Sequence, residues 1–180
     1  MTNVLIVNSS PRSCSCSRFL AARVGEGAAG NGHPVSTVEI GGADIHPCTG
    51  CDACRERPGG CVIADDMAGL YPKVARAEIL IFSSPIYFFS VGAQLKLFLD
   101  RLYALGIAGF ANKGIGAVFA YGDEDPVKSG CVNAIRMFQD ICGYASARWL
   151  GAIYASAWDG AAGPPEPLLK SAGEFGESLA

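Results

Sequence analysis

The stretch Val4-Leu5-Ile6-Val7-Asn8-Ser9-Ser10-Pro11-Arg12-Ser13-Cys14-Ser15-Cys16-Ser17 is the one on which the fold turns. Val4 to Val7 is a short apolar run rich in β-branched residues, the pattern of a strand buried on both faces. It ends in a loop with five serines in the nine residues from Ser9 to Ser17. Phe19, Leu20, Ala22 and Val24 then supply an apolar helical face. A strand that feeds directly into a helix leaves backbone N–H groups free and aims the positive end of the helix dipole at the loop. Such a junction is an anion site. The hydroxyls of Ser10, Ser15 and Ser17 add donors, and Arg12 adds charge. Capping one helix uses a single hydroxyl, so this many serines point to phosphate. Neither G-x-G-x-x-G nor G-x-x-x-x-G-K-[ST] is present, which speaks against a dinucleotide fingerprint or an ATP loop.

The same alternation continues outward. Gly25 to Pro34 reads as a helix stop and turn, and Val35 to Ile40 as a second strand. Asp65-Asp66-Met67 opens a helix with Met67, Leu70, Tyr71 and Val74 at helical spacing, and the two carboxylates suit its N-terminal end as caps. Glu78 to Phe82 is a third strand. It leads into Ser83-Ser84-Pro85-Ile86-Tyr87-Phe88-Phe89-Ser90, where Pro85 is expected to stop the strand. Three consecutive rings cannot all point one way, so at least one should face a pocket. Val91 to Leu105 reads as an amphipathic helix with Leu95, Phe98, Leu99 and Leu102 inward. Lys96 and Asp100, at i and i+4, form a surface pair. Gly114 to Tyr121 is a fourth strand, ending at Gly122-Asp123-Glu124-Asp125-Pro126. A helix over Val127 to Gly143, a fifth strand within Trp149 to Trp158, a Gly/Pro linker from Gly160 to Pro167 and a terminal helix complete the chain.

Five strands alternating with helices predict an α/β fold: a five-stranded parallel sheet in a three-layer sandwich, with helices on both faces. In such sheets ligands bind beyond the carboxyl ends of the strands, at the topological switch point. The unusual loops follow strands one, three and four, which fits strand order 2-1-3-4-5. A ligand with a phosphate at one end and a flat ring at the other would span the serine and aromatic loops, and FMN has that shape.

Length and composition set bounds. At 180 residues the chain is expected to form one domain, 1–180, with a cysteine-rich loop inserted at about 44–64. Half of the residues are hydrophobic and 17% are charged, enough for a substantial core. A net charge of −3 with scattered basic residues argues against nucleic acid. No secretory signal is evident from Met1 to Asn8, and the apolar stretch Ile79 to Ala93 is too broken to span a membrane, so a cytoplasmic location is expected.

Without a secretory signal the eight cysteines read as thiols or ligands. Cys131 and Cys142 lie in a helical pattern and suit burial as small apolar residues. Cys48, Cys51, Cys54 and Cys61 instead share one Gly-, Pro- and charge-rich loop. Four such thiolates can hold an iron–sulfur cluster or zinc, or serve as metal-free redox thiols. C-x₂-C-x₂-C with a remote fourth cysteine is typical of [4Fe–4S], whereas structural zinc more often uses two separated C-x₂-C pairs.

N-S-S-P-R-S-C-S-C-S, then S-S-P-I-Y-F-F-S-V-G-A-Q-L-K-L-F-L-D-R, resembles the flavodoxin-like NAD(P)H-dependent FMN reductases. Cys61-Val62-Ile63-Ala64-Asp65-Asp66-Met67 is similar to the motif of their iron–sulfur flavoprotein branch. The resemblance covers about Asn3 to Leu105 and implies a flavodoxin-like fold. By position it also implies that Ser10, Arg12, Ser15, Cys16 and Ser17 hold the FMN phosphate. Pro85, Ile86, Tyr87, Phe88 and Phe89 would line the isoalloxazine, and Tyr121, Gly122 and Asp123 would form the third flavin-side loop. It favours a [4Fe–4S] cluster on Cys48, Cys51, Cys54 and Cys61. The chain departs from the family at Ser9, commonly glycine, and at Cys14 and Ser15, often Asn or Gly. The implied activity is that of an oxidoreductase passing electrons from NAD(P)H or a ferredoxin-like donor to a small-molecule acceptor, with a homodimer or homotetramer as the assembly. The alternative is an electron carrier or flavin-binding module without its own substrate, its cysteine loop metal-free or zinc-bound. No side chain is singled out as an acid–base catalyst, and His33 and His46 show no carboxylate partner in the sequence pattern.

Overall fold

In the computed structural model, which describes residues 1–56, 60–157 and 163–180, Val4–Asn8 forms strand β1 with every residue buried. Cys16–Gly30 is helix α1, Val35–Glu39 is β2, and Ala53–Glu56 is a single helical turn, α2. Met67–Arg76 is α3, and Ile79–Tyr87 is β3. The two-residue strand β4, Ser90–Val91, precedes α4 at Ala93–Arg101. Short 3₁₀ turns follow α4, and the chain then forms β5 at Gly114–Tyr121, α5 at Cys131–Ala145, β6 at Arg148–Ser156 and α6 at Glu166–Glu177. The expected Gly/Pro linker and the end of the expected fifth strand, Trp158, lie partly outside the described residues.

Five parallel strands stand in the order β2-β1-β3-β5-β6, which is the expected 2-1-3-4-5 counted over the parallel strands. The sixth strand, β4, pairs antiparallel with β3 through Ile86↔Val91 and Tyr87↔Ser90. The pleat sorts the core. Val4, Ile6, Ile79, Ile81 and Val118 face α1 and α6, while Leu5, Val7, Leu80, Phe82 and Phe119 face the layer of α3, α4 and α5. In that second layer Phe138 stacks on Phe82 with ring centroids 5.1 Å apart.

Pro85 does not end β3, which runs on to Tyr87. Odd-numbered residues of β3 turn their backbone groups toward β1: Ile79 N bonds Asn3 O and Ser9 N bonds Ser83 O. β1 has ended by the level of Pro85, so the missing N–H falls where no partner waits, the placement proline tolerates in a sheet. The Pro85 carbonyl is used, accepting from Gly92 N at 3.1 Å.

Two helix expectations also shift. The buried stripe of α1 is Ser17, Leu20, Ala21, Val24 and Ala28, and Phe19 is 43% exposed. At 100° per residue Phe19 and Leu20 cannot share a narrow face. α5 starts at Cys131 because Gly130, at φ +77°, breaks the helical path from Val127. α1 and α6 touch backbone to backbone: a Cβ at Gly27 would lie 2.1 Å from the Gly173 carbonyl oxygen. Among the described residues no helix is long and apolar enough to cross a membrane.

Candidate functional site

The base of the serine loop is a buried hydroxyl network. Ser9 donates to the Ser83 carbonyl oxygen from its N–H at 3.0 Å and from its hydroxyl at 2.7 Å. The Ser83 hydroxyl donates to Ser17 O at 3.1 Å. These bonds tie the ends of β1 and β3 to the first turn of α1. Ser9 is not among the positive-φ residues, so a serine fits the backbone at this position. Ser17, expected as a donor to a ligand, is wholly buried and forms part of this support. Ser10 is buried as well, its hydroxyl accepting from Arg12 N at 3.3 Å. The open side of the loop belongs to Arg12, which is exposed, and to Ser15 and Cys16, which are half-buried. Ser15 is the N-cap of α1, accepting from Arg18 N at 3.4 Å. Burial pushes the Cys16 thiol up.

Sequence reasoning missed Arg18, although it stands one turn after Ser15. Its guanidinium donates to Ser10 O at 3.4 Å and pairs with Glu39 on β2. Glu39 also accepts from Asn8 Nδ2 at 3.0 Å. Among the described residues Asn8 Oδ1, Arg18 Nε and Arg101 Nε are buried without a partner, and the first two leave this end of the sheet with unspent polar capacity. Gly41 lies directly on the loop: a Cβ there would stand 2.1 Å from Ser10 O and 2.7 Å from Ser10 C.

At the end of β3, Pro85 and Ile86 are buried and the next three rings are not. Tyr87, Phe88 and Phe89 are 43%, 95% and 55% exposed. Phe88 and Phe89 hold φ of +46° and +66°, conformations that aromatic residues rarely adopt. The turn is pinned by α5. Gly130 leaves no room for a Cβ, which would lie 2.5 Å from Phe89 Cα, and Asn133 Nδ2 donates to Phe89 O at 3.3 Å. Ser84 Oγ accepts from Gly92 N at 3.0 Å and closes the other side.

The third loop follows β5. Tyr121 is buried against Tyr154, and burial raises its hydroxyl. Gly122 is exposed. Asp123 shapes its own turn, with Oδ1 accepting from Asp125 N at 3.0 Å and its carbonyl accepting from the Ser156 hydroxyl. The register Pro85↔Ala120, together with Asn8↔Ser83, brings the three loops to one carboxyl edge of the sheet. A helix N-terminus lies at the β1 side and exposed rings at the β3 side. That edge can take an anion and a flat apolar group side by side.

The cysteine loop is built differently. Its neck is a pair of short segments: Asp44 N donates to Asp66 Oδ2 at 2.8 Å, Asp66 N to Asp44 O at 3.1 Å, and His46 N to Asp65 Oδ2 at 3.0 Å. Asp65 does cap α3, accepting from Met67 N at 3.1 Å, while Asp66 makes no side-chain cap bond. The larger role of Asp65 was not foreseen. Its carboxylate, fully buried, receives both terminal nitrogens of Arg101, itself 1% exposed, and Nη2 stands 3.1 Å from Oδ1. Arg101 also donates to His46 O at 2.8 Å and to Ile63 O at 3.5 Å. Burial pushes the Asp65 carboxyl up, but bonds from Arg101, His46 N and Met67 N outweigh it and hold the group below its ordinary range. His46 pairs with Asp44 at 3.1 Å on the surface, a partner the sequence pattern did not reveal.

Cys48 and Cys51 are exposed, and Cys54 and Cys61 are half-buried against the core. The Ala53 N–H and the Thr49 hydroxyl hold the Cys51 thiol below its ordinary value. Cys131 and Cys142 are buried as expected, and burial pushes the Cys131 thiol up to about 11. Four thiols in one loop are apt chemistry for a cluster, yet among the described residues no three His, Cys, Asp or Glu side chains converge as a metal site. Residues 57–59, between Cys54 and Cys61, lie outside the described residues. The contacts of the loop run toward the C-terminal ends of α4 and α5. Arg55 donates to the Tyr103 hydroxyl at 2.7 Å, and Cys48 and Gly50 border an apolar cavity of about 550 Å³ with Leu99, Tyr103, Ile141 and Tyr144. α4 and α5 run back from the carboxyl edge, so these contacts fall toward its opposite side.

The chain is 36% identical over 118 residues to an iron-sulfur flavoprotein of Methanosarcina thermophila and 31% identical over 119 residues to one of Methanocaldococcus jannaschii. These alignments take in 64% and 66% of the chain and 61% of either relative, so the chain spans about three-fifths of their length. In fold it is similar to the NAD(P)H:quinone oxidoreductase from Methanothermobacter marburgensis, with a TM-score of 0.73 at 18% identity and 99% of both chains covered. The family model described as NADPH-dependent FMN reductase matches residues 2–156, spanning all five parallel strands and the three loops at their carboxyl edge, and the chain belongs to that family.

Proposed function

We propose that the chain binds FMN at the carboxyl edge of its sheet and works as an oxidoreductase, with NAD(P)H or a ferredoxin-like protein as donor and a small molecule as acceptor. One observation carries this reading: the serine loop at a helix N-terminus and the pinned aromatic turn meet at the switch point between β1 and β3. Bound FMN would supply hydride or single-electron transfer between donor and acceptor. The protein's own part is binding and shielding. The Ser15 hydroxyl, the first N–H groups of α1 and Arg12 would hold the phosphate. Ser10 and Ser17 would set the loop's shape from beneath, and Cys16 would stand beside Ser15 on its open side. Pro85 and Ile86 would form the floor of the ring site. Tyr87, Phe88 and Phe89 would flank the ring and keep water off one side, with Tyr121, Gly122 and Asp123 bounding the other.

The finer parts of the reading follow from the family and from the relatives' names. A [4Fe–4S] cluster on Cys48, Cys51, Cys54 and Cys61 is supported by the spacing and by the iron-sulfur flavoproteins to which the chain is similar. Binding one would require the thiols to gather. A single domain over 1–180, a homodimer or homotetramer covering the exposed rings, and a cytoplasmic setting complete the proposal.

Anaerobic purification followed by visible spectroscopy, metal and sulfide analysis, and steady-state NAD(P)H oxidation tests it. Flavin absorbance with turnover of a quinone or free flavin supports the enzyme. Flavin without turnover on any acceptor supports the electron carrier instead. A colourless, zinc-loaded protein sinks the flavin reading.

A further inference from the structure

We infer that Arg101 and Asp65 are the latch that positions the cysteine loop. One buried guanidinium, bidentate on Asp65 and bonded to the carbonyls of His46 and Ile63, closes the neck and fixes where Cys54 and Cys61 lie. The inference rests on the proposed function only for what the loop is used for, not for how it is closed.

The partners of the guanidinium decide the point. His46 precedes the loop 47–62, and Ile63 and Asp65 follow it, so a single side chain joins its entry to its exit. None of the three belongs to a strand of the sheet. The planar fork of arginine suits such a junction, because two nitrogens meet the two carboxylate oxygens while still reaching a carbonyl on either side. A lysine, with one nitrogen, could serve only part of the set. Arg101 is itself held from behind, where the Tyr71 hydroxyl donates to its carbonyl oxygen at 3.1 Å. The loop is therefore tied to two helices, α3 through Asp65 and Tyr71, and α4 through Arg101. Its entry and exit are thereby held side by side, as at the base of an Ω-loop. Half-burial of Cys54 and Cys61 against the core follows from that tether, while Cys48 and Cys51 stay exposed.

A buried ion pair can also be a mere filler of the core, and the two roles separate experimentally. Replacing such a pair by packed apolar residues often keeps the stability of a fold. It cannot keep four hydrogen bonds to a loop. The test is peptide-resolved iodoacetamide labelling of the 180-residue chain, as purified and chelator-treated, at neutral pH, in wild type and in the variants R101M, R101K and D65L/R101M. Opening of the neck should raise labelling of Cys54 and Cys61 in R101M about tenfold or more, toward the rates of Cys48 and Cys51. Cys131 and Cys142, buried in α5, should keep their wild-type rates. R101K should not restore protection. D65L/R101M should recover the urea midpoint and still label fast at Cys54 and Cys61; this variant carries the test if R101M folds poorly. Wild-type rates at Cys54 and Cys61 in the folded variants would overturn the latch. So would a parallel rise at Cys131 and Cys142 in D65L/R101M. Metal analysis is a separate readout: finding no iron would remove the cluster and leave this test unchanged.

Discussion

The serine loop and the cysteine loop each carry chemistry-bearing side chains, and they are fastened by opposite means. The serine loop sits between two central strands, and its support is the sheet itself: the Asn8↔Ser83 register and the bonds among Ser9, Ser83 and Ser17. The cysteine loop leaves edge strand β2, and its described residues pair with no strand. Its fastening is a guanidinium brought in from α4 to the carboxylate of Asp65. A site at a switch point inherits its geometry from the fold, whereas an inserted loop must carry its own clamp. The two should therefore fail independently.

Breaking the clamp should have the largest effect. R101M strands the Asp65 carboxylate in the interior, and removing one partner of such a pair costs about 3–5 kcal/mol. Urea unfolding should register that loss, while D65L/R101M recovers much of it. Acid provides a second route to the same bond. The Asp65 carboxyl in the folded chain lies below its ordinary value of 3.8. The pair thus contributes fully above that value, and its contribution fades as the pH falls below it through the folded value. The stability that urea unfolding assigns to the pair, wild type against R101M, should shrink across that acid window. FMN retention above about pH 4 should be the same in both.

The serine loop should break at Gly41. Its Cβ position, 2.1 Å from Ser10 O, is bounded by backbone atoms that cannot swing aside. G41A should cost about 1–3 kcal/mol through overpacking. FMN affinity, read by fluorescence titration, should fall while the labelling of Cys54 and Cys61 stays at wild type. G130A tests the aromatic side of the same edge. It combines φ +77° with an approach of 2.5 Å to Phe89 Cα, so it should cost about 1–3 kcal/mol and free the Phe88–Phe89 turn. A variant that lost FMN and loop protection together would contradict the independence of the two regions.

What the sequence made legible follows the same division. Strand alternation, strand order and the serine and aromatic loops are local patterns, and they appear in the structure where periodicity and punctuation put them. Errors arose where a local rule met a distant partner. Pro85 stays within β3 because β1 stops short, which its own neighbours do not reveal. Ser17 is buried where β3 comes in from far along the chain, and Ser10 where Gly41 closes on it. Asp65 looked like a helix cap, and it is one, but its main partner lies 36 residues away. Arg101 sits in a run read as an ordinary amphipathic helix, and no pattern marks it as buried. The holding of the cysteine loop has no local sign either: Arg101 reaches its exit from α4, and Arg55 within it reaches the Tyr103 hydroxyl 48 residues away.

The smallest expected effect comes from the pair that was easiest to read. Lys96 and Asp100 form an i,i+4 contact of 2.6 Å one residue from Arg101 on the same helix. Their side chains are 55% and 46% exposed, so water screens them and long-chain entropy opposes them. K96A should change stability by no more than about 0.5 kcal/mol, with the urea midpoint, FMN affinity and cysteine labelling at wild-type values. A loss comparable to that of R101M would mean that α4 as a whole, rather than the buried guanidinium, carries the neck. Wild-type behaviour assigns the fastening to the one cation on α4 that water cannot reach.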